Sequence, residues 1–162
     1  MSNEPAKTPG ESIAQFYVGW PEYQRLLVDA IRPLTPEQLA LSVARGAWPI
    51  WQLASHIIGV RAGWFHYTLG EGDAAIEEFG EWGGRDGGPR PASELVRGLE
   101  ATWALVSSCL DRWTAADLPE LFEDDGPKSR GWVVWHVLEH DIHHGGEVSL
   151  TLGAHGLPAL DL

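Results

Sequence analysis

Gly131-Trp-Val-Val-Trp135-His136-Val-Leu-Glu-His140-Asp-Ile-His143-His144-Gly-Gly-Glu147-Val-Ser-Leu-Thr-Leu152 is the stretch that decides the fold. Its apolar residues recur at three- and four-residue spacing, the period of an α-helix rather than a strand. With His140 as reference and about 100° per residue, His136 and His144 lie about 40° to either side of it. Val133, Val137 and Glu147 fall near the same face. Trp135, Leu138 and Ile142 lie opposite. Apolar residues on two sides predict a helix packed deep in a bundle.

The same period recurs towards the N-terminus. Ala92–Trp113 is expected as a long helix with a buried stripe of Leu95, Leu99, Trp103, Val106 and Leu110. Pro49 to Leu69 predicts another, stopped at Gly70. Leu26, Leu27, Ala30, Ile31 and Leu34 mark the first. Pro21 either kinks that helix or opens it. Ser12-Ile-Ala-Gln15 fits a capping box, and so does Thr35-Pro-Glu-Gln38, which opens a short helix ending near Ser42. Thr114-Ala-Ala-Asp117 resembles a cap for another short helix. Glu71–Pro91 reads as a long loop with one short helical piece around Ala74–Phe79, and Asp124-Asp-Gly-Pro127 as a turn. No segment alternates as a strand does. The expected fold is all-α: a four-helix bundle with a long crossover connection, one domain over 12–162, and a flexible tail over 1–11.

Composition narrows the function. The chain has 162 residues, and 11 basic against 23 acidic residues give a net charge of −12. Such a surface repels nucleic-acid backbones and anionic membranes, so neither is an expected partner. No run approaches the roughly 20 apolar residues of a membrane span, and no signal-peptide pattern opens the chain. Cys109 is the only cysteine, so no intrachain disulfide forms, and a reducing cytoplasm is the expected location. Cys109 lies mid-helix among Leu105, Val106 and Leu110, where an inert buried thiol is expected. Nine tryptophans point to an aromatic-rich core, a pocket or a dimer interface. Trp48, Trp51, Trp64 and Trp132 are candidates for a pocket mouth, with core packing the expectation for most of them.

Four of the seven histidines fall within residues 136–144. Imidazoles four apart on a helix share a face and can grip one metal ion if a third ligand arrives from elsewhere. His136 and His144 are about 12 Å apart along the axis, too far to share an ion. Spacing leaves His136/His140 and His140/His144 both open. His56, mid-helix in Trp51-Gln-Leu-Ala-Ser-His56-Ile-Ile-Gly-Val-Arg61, is the best third candidate. Alone it would read as a hydrogen-bonded core histidine. Gly59 and Gly63 flank its face and leave room for a neighbouring helix or a ligand. His66 lies nearly opposite His56, and His155 falls in the C-terminal tail.

These segments resemble the DinB/YfiT-like family of small helical bundles. Gly19-Trp20 with Tyr23 and Leu26-Leu27, followed by Leu34-Thr35-Pro36-Glu37-Gln38-Leu39, looks like the family's first helix and connector. Trp48-Pro-Ile-Trp-Gln-Leu-Ala-Ser-His56-Ile is similar to its second-helix segment. Trp135-His-Val-Leu-Glu-His140-Asp-Ile-His-His144-Gly-Gly-Glu147 resembles the last-helix signature, and Leu152-Gly153 with Gly156-Leu-Pro158 the tail. The resemblance implies His56, His140 and His144 as ligands of a divalent metal, with water completing the site. The family commonly carries Arg-Gly-Gln after the last histidine, where this chain has Gly145-Gly146-Glu147. Mid-helix, each glycine costs roughly 1 kcal/mol relative to alanine, for which close backbone packing is the expected reason.

Three neutral ligands with an open position describe a catalytic zinc site rather than a closed structural one. Zinc and nickel both suit imidazole, and spacing does not separate them. Asp141 and Glu147 are the candidate carboxylates for orienting the ligand rings; Glu139 reads as an ordinary exposed carboxylate. The resemblance implies a metal-dependent enzyme acting on a small-molecule substrate. Some members use a low-molecular-weight thiol cofactor, and metal-assisted hydrolysis would use the same site with water. The alternative is a non-catalytic metal- or small-ligand-binding stress-response module. The family likeness and the apolar, Trp-rich helices also imply a homodimer.

Overall fold

A computed structural model describes residues 11–84, 87–124 and 126–161. The tail expected over 1–11 therefore lies, except for Glu11, outside the described residues. Four long helices carry the described fold: α1 (Trp20–Ile31), α3 (Ile50–Ala62), α4 (Ala92–Arg112) and α5 (Arg130–Ala154), with the short α2 (Pro36–Leu39) between the first two. The chain is an all-α bundle, as its helical periodicity predicts.

Local chemistry explains most boundaries. Ser12 makes no side-chain cap, and only a 3-10 turn, Ile13–Phe16, forms there. Pro21 sits in the first turn of α1, where its missing N–H costs nothing. Thr35 and Gln38 form both bonds of the capping box of α2. Beyond Ala62 the α3 helix widens into π-type turns over Gly63–Thr68, and it stops at Gly70, whose φ of 72° is left-handed. The following connection holds a 3-10 segment, Ala74–Gly83, longer than the piece expected there. Ser129 caps α5 through the Trp132 N–H. That helix runs to Ala154.

Two expectations fail in the connection between α4 and α5. Thr114 N–H and hydroxyl both donate to Asp117, but the bonds close a turn and no helix follows. A two-stranded antiparallel hairpin also forms, β1 (Leu121–Asp124) with β2 (Gly126–Ser129). Four-residue strands are too short to show alternation. Gly126, with φ 81°, supplies the positive dihedral the tight turn needs.

The core is mainly aliphatic, with Trp20, Phe65, Phe79 and Trp113 among its buried aromatics. Leu27, Ile31, Ile57, Ile58, Leu95, Leu99, Val106, Val133, Val137 and Val148 are fully buried. Each contributes about 1.5–3 kcal/mol relative to exposure. Helix α3 packs against both α4 and α5, and α1 packs against α4. The prediction of two buried sides for α5 fails on one side: Trp135 and Ile142 are 56% and 51% exposed. No helix among the described residues is long and apolar enough to cross a membrane.

Candidate metal centre

His56 comes from the middle of α3, and His140 and His144 from one face of α5, across the α3–α5 contact. One ring nitrogen from each of the three lies within 4.8 Å of the other two. Ring centroids are 4.7 Å apart for His56 and His140, 4.9 Å for His56 and His144, and 4.4 Å for His140 and His144. All three are half-buried.

Hydrogen bonds set the ring orientations. His56 Nδ1 lies 2.8 Å from the Gly83 carbonyl, which can only accept, so Nδ1 carries the proton and Nε2 keeps its lone pair. Gly59 makes this bond possible. A Cβ there would collide with the Gly83 backbone, so only glycine lets the 74–83 segment lie against α3. His144 Nδ1 meets the Glu147 carboxylate at 2.6 Å, which again frees Nε2. This carboxylate–imidazole pairing is the usual support of a metal-binding histidine. His140 Nδ1, by contrast, is buried with no hydrogen-bond partner. A buried imidazole nitrogen without a protein partner is costly unless something else engages the ring, and a metal ion is such a partner.

Electrostatics favours the ligand form. Burial, with the neighbouring His144 and His56 imidazoles, pushes His140 down to about 3. Burial also lowers His144, against the opposing pull of Glu147. Both rings are neutral at pH 7, so an ion need displace no proton from them. The donor set fits a borderline divalent cation such as Zn²⁺ or Ni²⁺.

The remaining candidates lie elsewhere. His136 stacks on Trp132 at 4.7 Å, with Trp64 against its edge at 5.4 Å, and falls outside the trio. His143 is exposed; with His144 and Glu147 it forms a second group within 4.8 Å, reusing His144. His66 bonds the Glu71 carbonyl and His155 the Ser42 carbonyl. Asp141, expected as an acceptor beside the ligand rings, has both oxygens turned to Arg61 and one also to Trp20. One residue after His140 is a turn of about 100°, which carries the Asp141 side chain off the histidine face. Trp48 stands edge-on to His56 at 4.9 Å and stacks on His144 at 5.9 Å. Cys109 is buried, and burial pushes its thiol up to about 11, so it is not a nucleophile at neutral pH.

Sequence reasoning missed Gly83 and Arg61. The Gly83 carbonyl leaves no trace in residue identity. Arg61 did leave one: a lone cation inside the apolar run of α3 needs a buried partner.

Gly145 is explained by packing, since a Cβ there would collide with the Tyr23 hydroxyl, which donates to the Ile142 carbonyl. Gly146 faces open space.

A family model described as the DinB superfamily matches residues 22–148. A crystal structure of a DinB-like protein from Bacillus cereus ATCC 10987 superposes with a TM-score of 0.71 at 21% identity, covering 94% of this chain and 98% of that one. That likeness speaks for the fold. No curated protein matches this chain.

Proposed function

From the premise that this chain belongs to the DinB superfamily, we propose that it is a metal-dependent enzyme whose divalent ion, zinc or nickel, is held by His56, His140 and His144. The carrying observation is the convergence of three imidazole nitrogens from two helices, with no carboxylate among them. Glu147 supports the site through His144 Nδ1, and the Gly83 carbonyl does the same for His56. A divalent ion in that position supplies Lewis acidity, lowering the pKa of a small thiol or of water and polarising a carbonyl. The reaction class is transfer of a low-molecular-weight thiol to a small electrophilic substrate, or hydrolysis of that substrate. Three protein ligands are one short of a closed structural zinc site, which favours catalysis over a non-catalytic metal-binding module. The lone buried thiol suits a reducing, cytoplasmic setting.

The test is metal content of protein purified without an affinity tag, together with turnover. One zinc or nickel per chain is expected. Cysteine with monochlorobimane, and p-nitrophenyl acetate alone, probe the two reaction classes. Metal-dependent consumption of either supports an enzyme; stoichiometric metal with no turnover of either would favour the binding module. His136→Ala should retain full metal content, because His136 lies outside the group of converging nitrogens. Loss of metal in that variant would reinstate the His136/His140 pairing.

The outer face of α5 supports the homodimer. Trp135, Ile142 and Leu150 are all more than half exposed there, as is Phe16 of the neighbouring 3-10 turn, which lines a pocket with Ile142. Beside them runs a groove of about 490 Å³ lined by Tyr23, Gly145, Gly146, Ser149 and Gly153, among others. Projecting side chains and a receiving groove on one face are what a two-fold interface requires of each copy. Light scattering should give twice the 17.8 kDa chain mass for the native protein and a monomer for Ile142→Glu. A native monomer, or a dimer untouched by that substitution, would remove this face from consideration.

A further inference from the structure

Arg61 and Asp141 form an ion pair in which both side chains are 0% exposed. Arg61 Nε lies 3.1 and 3.0 Å from the two Asp141 oxygens, and an Arg61 terminal nitrogen lies 2.6 Å from Oδ2. Trp20 Nε1 donates to the same oxygen at 2.8 Å. The other guanidinium nitrogen reaches the Leu99 carbonyl at 3.3 Å, where Gln24 also donates. One buried network thus ties α1, α3, α4 and α5 together.

Such a pair is a poor source of stability. Desolvating two charges offsets most of their attraction, and an apolar group of similar volume often serves as well. What a guanidinium–carboxylate fork supplies is a fixed geometry. The apolar contact between α3 and α5 is non-directional and sets their register only loosely. A slip of one residue shifts a helix by about 1.5 Å and turns a ligand by about 100°, enough to disperse three converging imidazoles.

The position of the pair matches that need. Arg61 is on the helix of His56, and Asp141 directly follows His140 and precedes His144 on theirs. We infer that the Arg61–Asp141 pair is the positioning device of the metal centre: it locks α3 against α5 so that His56 meets His140 and His144. It touches no ligand ring and acts through helix register. Metal affinity, more than fold stability, is what the pair sustains. This rests on the three-histidine metal reading.

The test replaces the network by apolar groups that leave no buried donor stranded, in the triple variant W20F/R61M/D141L. Its thermal midpoint should be held or raised. Its Zn²⁺ dissociation constant, measured against a chromophoric chelator, should weaken by about 10- to 100-fold, the usual effect of a residue that orients ligands from outside the site. The visible spectrum of the Co²⁺-loaded protein should differ from that of the native chain. R61K, which keeps the charge but loses the fork, should fall between the two, and it carries the test if the triple variant fails to fold. A folded variant of either kind with native Zn²⁺ affinity and a native Co²⁺ spectrum overturns the inference while leaving the metal site standing. A native chain that binds neither Zn²⁺ nor Ni²⁺ overturns the metal reading, and the inference falls with it.

Discussion

Replacing any one of His56, His140 and His144 with alanine is expected to take the protein from one bound metal ion per chain to none. Each supplies one of only three protein ligands, and no free donor inside the trio replaces the one that is lost. Glu147 is engaged by His144 and the Gly83 carbonyl by His56, and His136 lies outside the trio. The loss should also appear in stability. An ion present at a thousand times its dissociation constant stabilises the native state by about 4 kcal/mol. Added Zn²⁺ should therefore raise the thermal midpoint of the native protein and leave that of each alanine variant unmoved. The rings are half-buried at the helix contact, so the metal-free variants should keep the helical signal of the parent. Full affinity retained in any one of the three would remove that residue from the ligand set.

The second large effect concerns stability without metal. Asp141→Ala leaves the Arg61 guanidinium fully buried with no counter-charge, and strips Trp20 Nε1 of its acceptor. Breaking one side of a buried pair costs about 3–5 kcal/mol, because the stranded charge must stay dehydrated or open the core to water. In a chain of this length that lowers the thermal midpoint by roughly 10 °C. Denaturant unfolding of the metal-free protein measures it directly. A cost below about 1 kcal/mol would mean that water or another group already solvates Arg61. The contrast with the apolar triple variant is the informative part. Removing one charge should unfold the protein more readily, whereas removing the whole network should not.

The long helices were legible because their apolar residues recur at helical spacing, whether on one face, as in α1 and α4, or on more than one, as in α3 and α5. Thr35 with Gln38, Pro21 and Gly70 marked real ends because capping is local chemistry that one or two side chains decide. Ser12 and Thr114 carried similar signals and opened no α-helix. A cap satisfies a helix end but does not create the packing that stabilises a helix. The hairpin at Leu121–Ser129 was illegible because four-residue strands show no period. The exposed side of α5 was misread because apolar identity says nothing of whether a partner covers it.

By itself the sequence determined the helices, because their period is written residue by residue. It also determined which histidines share a face of α5, because spacing on one helix is rigid. The residue pattern named His56 as the best third candidate, and family likeness to the DinB proteins implied His144 rather than His136 as the partner of His140. Only the tertiary structure could bring His56 to His140 and His144, since distance between two helices depends on how they pack. It also decided the fate of Asp141. Spacing placed that carboxylate beside the candidate ligands, but packing turned it to Arg61, because a cation buried in α3 demands a partner and only the folded chain reveals which one is within reach.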